Sequence, residues 1–125
     1  MRLVVVEDDA NLLDILRRQL CKAGHDVCAA PNGRMALDHL RQFGADIVIT
    51  DWKMPEMTGI ELCRAIRAEP CMRGMYIIML TGQTTASEQI EGIHAGADDY
   101  LTKPFRMERL LASIRTAQQV IDKAA

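Results

Sequence analysis

No apolar run in this chain approaches the ~20 residues that a bilayer-spanning helix needs. Every hydrophobic stretch is broken within eight residues. Positive charge is not in excess either: 15 Lys and Arg stand against 17 Asp and Glu, a net charge of −2. No global basic field is therefore offered to nucleic acid, and any charge-based function must be local. Only four cysteines occur, Cys21, Cys28, Cys63 and Cys71, with no paired short spacing. They are expected to be reduced cytosolic thiols rather than a zinc site or a disulfide framework. Repeats, low-complexity tracts and composition shifts are also missing, so residues 1–125 are expected to form one domain that buries roughly two thirds of its unfolded surface. The expectation is a soluble, cytoplasmic protein that neither crosses a membrane nor binds nucleic acid directly.

What the chain does contain is a regular alternation. Five short apolar runs recur: LVVV (3–6), DVCAA (26–30), DIVIT (46–50), MYIIML (75–80) and DYLT (99–102). Three are nearly continuous, the pattern of strands covered on both faces. Helical spacing separates them. After Asp9, Leu12, Leu13, Leu16 and Leu20 repeat until Gly24 supplies a stop, and Asn32 can cap a second helix that Gly44 closes. Thr58 with Glu61, and Thr85 with Glu88, are T-x-x-E arrangements that satisfy free helix-start amides from two directions. They open third and fourth helices ending near Pro70 and Gly96. Pro104 is expected to open a fifth, with Met107, Leu110, Leu111, Ile114, Ala117 and Ile121 as its apolar stripe.

A strand–helix pair repeated five times requires parallel strands with right-handed crossovers, hence an α/β, doubly wound, three-layer sandwich. In such sheets ligands bind outside the carboxyl ends of the strands, near the point where strand order reverses. That rule selects Glu7, Asp8 and Asp9 after the first strand, Asp51 at the end of the third, Thr81 and Gly82 at the fourth, and Lys103 at the fifth. Carboxylates crowded at one edge repel each other and call for a cation. An oxygen-only ligand set suits Mg²⁺, which keeps water and phosphoryl oxygens in its octahedral shell. One carboxylate beside such an ion can attack a phosphoryl donor, with Lys103 as a point charge and Thr81 as a hydroxyl for the new group.

These motifs, VVVEDD, DWKMPEMTG, IIMLTG and GADDYLTKPF, together resemble the receiver domain of two-component response regulators from Leu3 to about Arg115. The resemblance implies a flavodoxin-like sheet in the order 2-1-3-4-5, with Asp51 as phosphoacceptor. It implies Mg²⁺ held by Asp8, Asp51 and the main-chain carbonyl of Lys53, with Glu7 acting largely through water and Asp9 one place beyond the acidic pair. Lys103 would contact the phosphoryl oxygens, its bond to Pro104 would be cis, and Thr81 and Tyr100 would be switch residues. The protein would then be no turnover enzyme but a phosphoacceptor assisting its own Mg²⁺-dependent phosphorylation and dephosphorylation. Its donor would be a sensor histidine kinase or phosphotransfer protein, and its readout surface the fourth helix, fifth strand and fifth helix, which is also the expected homodimer face.

Taken singly, these residues have plainer readings. EDD alone is a helix start, because carboxylates favour helix N-termini. Asp51 alone is a turn residue before Pro55 and Gly59. Thr81 alone is a cap, Tyr100 a packed ring, and Lys103 a solvated side chain. Their joint occurrence at strand ends reverses those readings. His25, His39 and His94 lie away from the strand ends and read as surface or packing residues, the methionines read as core and loop filling, and Trp52 is expected in the cleft wall. Lys53 and Gln83, two places after the acceptor and the switch threonine, bear on the access of water to an acyl phosphate.

A haloacid-dehalogenase-type phosphatase would need a second acid where Lys53 stands. A flavodoxin would need a Ser/Thr/Gly-rich loop where EDDAN would repel phosphate. A degenerate receiver serving only as an interaction module would lack site residues that are all present. RTAQQVIDKAA (115–125) runs longer than closing the domain requires, so 116–125 is expected to be a helical connector. Leu110, Ile114, Ala117 and Ile121 come close to coiled-coil spacing. The chain is then either a stand-alone receiver or one joined after residue 125 to an output domain such as a diguanylate cyclase.

Overall fold

Strands that are apolar on both faces must be covered on both sides. In the computed structural model, which describes residues 1–82 and 85–124, each apolar run is a strand and each helical pattern a helix. The strands are β1 (Arg2–Val6), β2 (Asp26–Ala30), β3 (Ile47–Asp51), β4 (Tyr76–Thr81) and β5 (Asp99–Thr102). Between and after them run α1 (Ala10–Lys22), α2 (Gly33–Phe43), α3 (Gly59–Ala68), α4 (Ala86–Ala95) and α5 (Met107–Ala124). All neighbours pair parallel in the order β2-β1-β3-β4-β5, the doubly wound flavodoxin-like arrangement expected.

Alternation along each strand divides the core in two. Val4, Val6, Val48, Ile77 and Met79 face α2, α3 and α4, meeting Leu37, Leu40, Leu62 and Ile66. Leu3, Val5, Ile49, Ile78 and Leu80 face α1 and α5, meeting Leu16, Leu20, Leu110 and Ile114. Each fully buried Leu or Ile stabilises the fold by about 1.5–3 kcal/mol relative to exposure.

Local chemistry sets the helix ends. Asp9 accepts the Asn11 and Leu12 amides at 3.0 and 3.3 Å, and Asn32 accepts the Met35 amide at 2.9 Å. Thr58 and Glu61 form a reciprocal capping box, 3.2 Å in one direction and 3.3 Å in the other. Thr85 accepts the Glu88 amide at 3.2 Å. Gly96 ends α4 in the left-handed region, φ 107°, which a side chain would resist. After α3, which ends at Ala68 just before Pro70, the chain makes one 3-10 turn over Pro70–Met72.

Two expectations about α5 need correction. Pro104 does not open the helix: it lies in a cis bond to Lys103, and α5 begins at Met107, where the Arg106 carbonyl takes the Leu110 amide. Phe105, packed against the α1/α5 half of the core, and Arg106 intervene. The stripe of Leu110, Ile114 and Ala117 is buried against the sheet, so it is core and not a coiled-coil seam. The four cysteines are free thiols, and no helix among the described residues is long and apolar enough to cross a membrane.

His25, in the turn between α1 and β2, carries a buried Nδ1 with no hydrogen-bond partner among the described residues. Burial lowers its pKa below the usual 6.5. The folded chain therefore resists protonation more than the unfolded chain does. The stability this contributes is present above the unfolded pKa and is lost as pH falls through the lowered folded value. Urea denaturation at about pH 7.5 and about pH 5 should show a smaller loss of stability for His25→Gln than for the wild type. Equal losses in the two proteins would reject the assignment to this ring.

Candidate functional site

The order of the sheet reverses between β1 and β3, and the crevice outside their carboxyl ends gathers charge. Glu7 continues β1 by one residue: its amide donates to the Ala30 carbonyl at 3.1 Å, and its side chain is 1% exposed. Asp8 beside it is exposed, and Asp9 turns away to cap α1 while its amide donates to Glu7 Oε2 at 3.3 Å. Asp51, the last residue of β3, is buried and in register with Leu80. Its Oδ1 accepts the Trp52 amide at 3.0 Å, and its carbonyl accepts the Thr50 hydroxyl at 3.0 Å.

Lys103 reaches this crevice from the far end of β5. Its amide donates to the Thr81 carbonyl, and its ammonium donates to Glu7 Oε1 at 2.7 Å while lying 3.1 Å from Asp51 Oδ1. The side chains are half-buried or deeper, so solvent screens these pairs less than it would at the surface. Burial raises the Glu7 pKa to about 7. The Lys103 hydrogen bond works against that shift, and repulsion from Asp51 adds to it. Burial acts to lower the Lys103 pKa, but its bonds to Glu7 and Asp51 outweigh that and raise it. One ammonium thus serves two carboxylates and only partly compensates them.

Glu7, Asp8 and Asp51 each bring a carboxylate oxygen within 4.8 Å of the others. With two buried members and one exposed, this set fits a hard divalent cation, and it contains neither imidazole nor thiolate. Thr81 closes β4 with its hydroxyl donating to the Gly82 carbonyl at 2.8 Å. A Cβ at Gly82 meets none of the described atoms within 4 Å, so space is open there. Tyr100, half-buried, packs against the α2/α3/α4 half of the core. The Lys53 side chain is exposed, and Gln83 lies outside the described residues.

Glu7, Asp51 and Lys103 thus meet, with Asp8 at their margin and Thr81 tied to Lys103 through the backbone. Trp52 departs from its expected place: it is buried among the core side chains rather than lining the cleft. Sequence reasoning also missed Gly59 as more than a loop residue. Its amide donates to the Trp52 carbonyl at 2.8 Å, and a Cβ there would lie 2.2 Å from the Asp51 carbonyl oxygen and 2.8 Å from Met79 Sδ. The first turn of α3 is pressed directly onto the residue that carries the carboxylate. The run TG at 58–59 marks a capped helix start and gives no sign of that contact.

The response regulator receiver domain family model matches residues 3–115. Response regulator MprA of Mycolicibacterium vanbaalenii is 42% identical over 115 residues, which are 92% of this chain and 49% of that protein. DNA-binding response regulator MtrA of Mycobacterium tuberculosis is 39% identical over 114 residues, 91% of this chain and 49% of that protein. This chain spans about half the length of these curated relatives. Among solved structures, a CheY-like response regulator receiver domain protein from Methanospirillum hungatei superposes with a TM-score of 0.93 at 28% identity. That match covers 99% of this chain and 98% of the other.

Gly59→Ala forces either α3 or the end of β3 to move, because the obstructing atoms are mostly backbone. A loss of stability of about 3 kcal/mol or more is expected in urea denaturation, at the upper end of overpacking costs. A variant as stable as the wild type would show that α3 does not bear on Asp51.

Proposed function

This chain belongs to the response regulator receiver family, whose members are phosphorylation-activated signalling switches, and from that premise we propose that Asp51 is its phosphoacceptor. The observation that carries the reading is the meeting of Asp51 with Lys103, 3.1 Å away, beside Glu7 and Asp8. A set lacking any one of these would suit an interaction module; the complete set suits chemistry.

The roles follow from the contacts. Lys103 and the Trp52 amide both engage Oδ1 of Asp51, so Oδ2 is the oxygen that attacks phosphorus. The new bond is Asp51 O–P; the bond that breaks joins phosphorus to the imidazole nitrogen of a phosphohistidine, which leaves with the electron pair. The donor is a sensor histidine kinase or a phosphotransfer protein. Glu7, Asp8, Asp51 and the main-chain carbonyl of Lys53 would hold Mg²⁺, which supplies positive charge against the crowded carboxylates and the incoming phosphoryl oxygens. Lys103 remains as a fixed cation for a group that brings about −1.5 to −2 of charge. Thr81 leaves the Gly82 carbonyl to donate to a phosphoryl oxygen, and Tyr100 follows into the space released. The same groups, with Lys53 and Gln83 governing the approach of water, make the domain a participant in its own phosphorylation and dephosphorylation rather than a turnover enzyme.

The signal then leaves through α4, β5 and α5, the face that Thr81 and Tyr100 adjoin, by a homodimer or by another partner. Residues 1–125 act as one receiver unit in the cytoplasm, with 116–125 as connector to an output domain. The relatives' roughly twofold greater length supports such a continuation.

Incubation with an acyl phosphate and Mg²⁺, followed by intact mass measurement, should give one labile adduct. Chelation should abolish it and Asp51→Asn should lack it. Lys103→Ala should slow its formation on the order of 10²-fold, the usual effect of removing a preorganised charge-stabilising donor. An adduct of equal yield in Asp51→Asn would move the acceptor elsewhere.

A further inference from the structure

Trp52 follows the acceptor in the chain, and its amide is shared between the Leu80 carbonyl at 2.8 Å and Asp51 Oδ1 at 3.0 Å. Its own carbonyl is held by the Gly59 amide at 2.8 Å, so the backbone that aims the indole is fixed on both sides. The indole is buried, and it runs beneath α4 at a residue with no side chain. A methyl group built on Gly92 would lie 3.1 Å from Trp52 Cζ3, 3.4 Å from Cη2 and 3.0 Å from Tyr100 Cε1. Two aromatic rings, one rooted at the third strand and one on the fifth, therefore meet in a single notch of α4. Both rings thus border the space that a side chain at residue 92 would fill, so a group added there must displace one of them or the helix.

The rest of α4 is held unevenly. Among its described residues only Gly92 and Ala95 are buried, both towards its C-terminal end, and Ala86, Ser87, Ile90 and Ile93 are exposed. That end is tied to α3 by two side chains. Cys63 donates to the Ala95 carbonyl at 3.2 Å, and Arg67 reaches the Gly96 carbonyl with Nε at 3.0 Å and Nη2 at 2.7 Å. Arg67 Nη2 also pairs with Asp98 at 2.7 Å, which fixes the entry to β5. The N-terminal half, with few buried contacts, belongs to the low-stability end of local opening.

We propose that Trp52 and Gly92 are the positioning residues through which a change at Asp51 reaches α4, the indole acting in the Gly92 notch as the fulcrum about which the lightly packed half of the helix tilts. This rests on the reading of Asp51 as phosphoacceptor. It adds to Thr81 and Tyr100 a second route, starting at the residue bonded to the acceptor itself. Tyr100 joins the two routes, because its ring borders the same notch.

The test uses the protein treated with an acyl phosphate and Mg²⁺, with adduct yield read by intact mass and α4 read by hydrogen exchange of residues 86–95. In the wild type, phosphorylation should change α4 exchange by a factor within the usual coupling range of about 5- to 150-fold. Gly92→Ala overfills the notch and should bring that change below about twofold, a factor too small to count as typical coupling, at unchanged adduct yield. Trp52→Phe withdraws the indole's far ring and should also uncouple α4, and the double variant, in which the added methyl group refills the space, should regain the response. That recovery is a result a purely structural role would not give. A full α4 response in either single variant, or no recovery in the double, overturns the proposal. If Gly92→Ala fails to fold, Trp52→Phe alone decides it. Absence of any adduct in the wild type overturns the acceptor reading and this inference with it; an adduct with an unaltered α4 response in the variants overturns this inference alone.

Discussion

The structure turns on one electrostatic constraint: two buried carboxylates, Glu7 and Asp51, share a single ammonium, that of Lys103. Removing charge from water is costly, and a pair of anions brought together costs more unless a cation stands between them. Lys103 supplies that cation from 96 residues away in sequence. The remaining deficit is visible in the raised pKa of Glu7. A site left short of positive charge is one whose carboxylates suit a divalent cation.

Parallel topology makes that meeting possible. Each strand delivers its last residue to the same edge, and the helix that follows begins near there, so Asp9 caps α1 while its amide holds the Glu7 carboxylate. Gly59 adds a steric demand to this electrostatic one, since α3 can reach its position against the Asp51 carbonyl only without a side chain. Tight packing at the Asp51 end thus stands beside light packing at the start of α4.

Much of this was readable in the sequence, because the relevant rules are local. Runs such as Ile47, Val48 and Ile49 are apolar on both faces, which only a doubly covered strand explains. Thr58 with Glu61 is a capping box within four residues. The strand-end rule selected Glu7, Asp8, Asp9, Asp51, Thr81 and Lys103 without any distance being known, and of these Asp9 turns away to cap α1. What escaped was long-range or ambiguous by nature. Nothing near Gly59 or Gly92 reveals which distant atoms crowd them. Pro104 carries a helix-start signature, yet Phe105 and Arg106 intervene before α5 begins. The stripe from Leu110 to Ile121 fits both a 3.5- and a 3.6-residue period over so short a span, and only the sheet beneath it decides which applies.

That last point has a consequence for recognition. With Leu110, Ile114 and Ala117 turned to the sheet, α5 shows its surroundings Arg109, Arg115, Thr116, Gln119 and Lys123, all exposed. A neighbour that docks along this helix must read charge and hydrogen-bonding groups, with Val120 as an isolated apolar point. Such contacts form quickly and fade as ionic strength rises, because at physiological salt their reach is about 8 Å. Any association through α5 would thus be graded by the ionic medium, whereas the hydrophobic half of the same helix holds the fold independently of it.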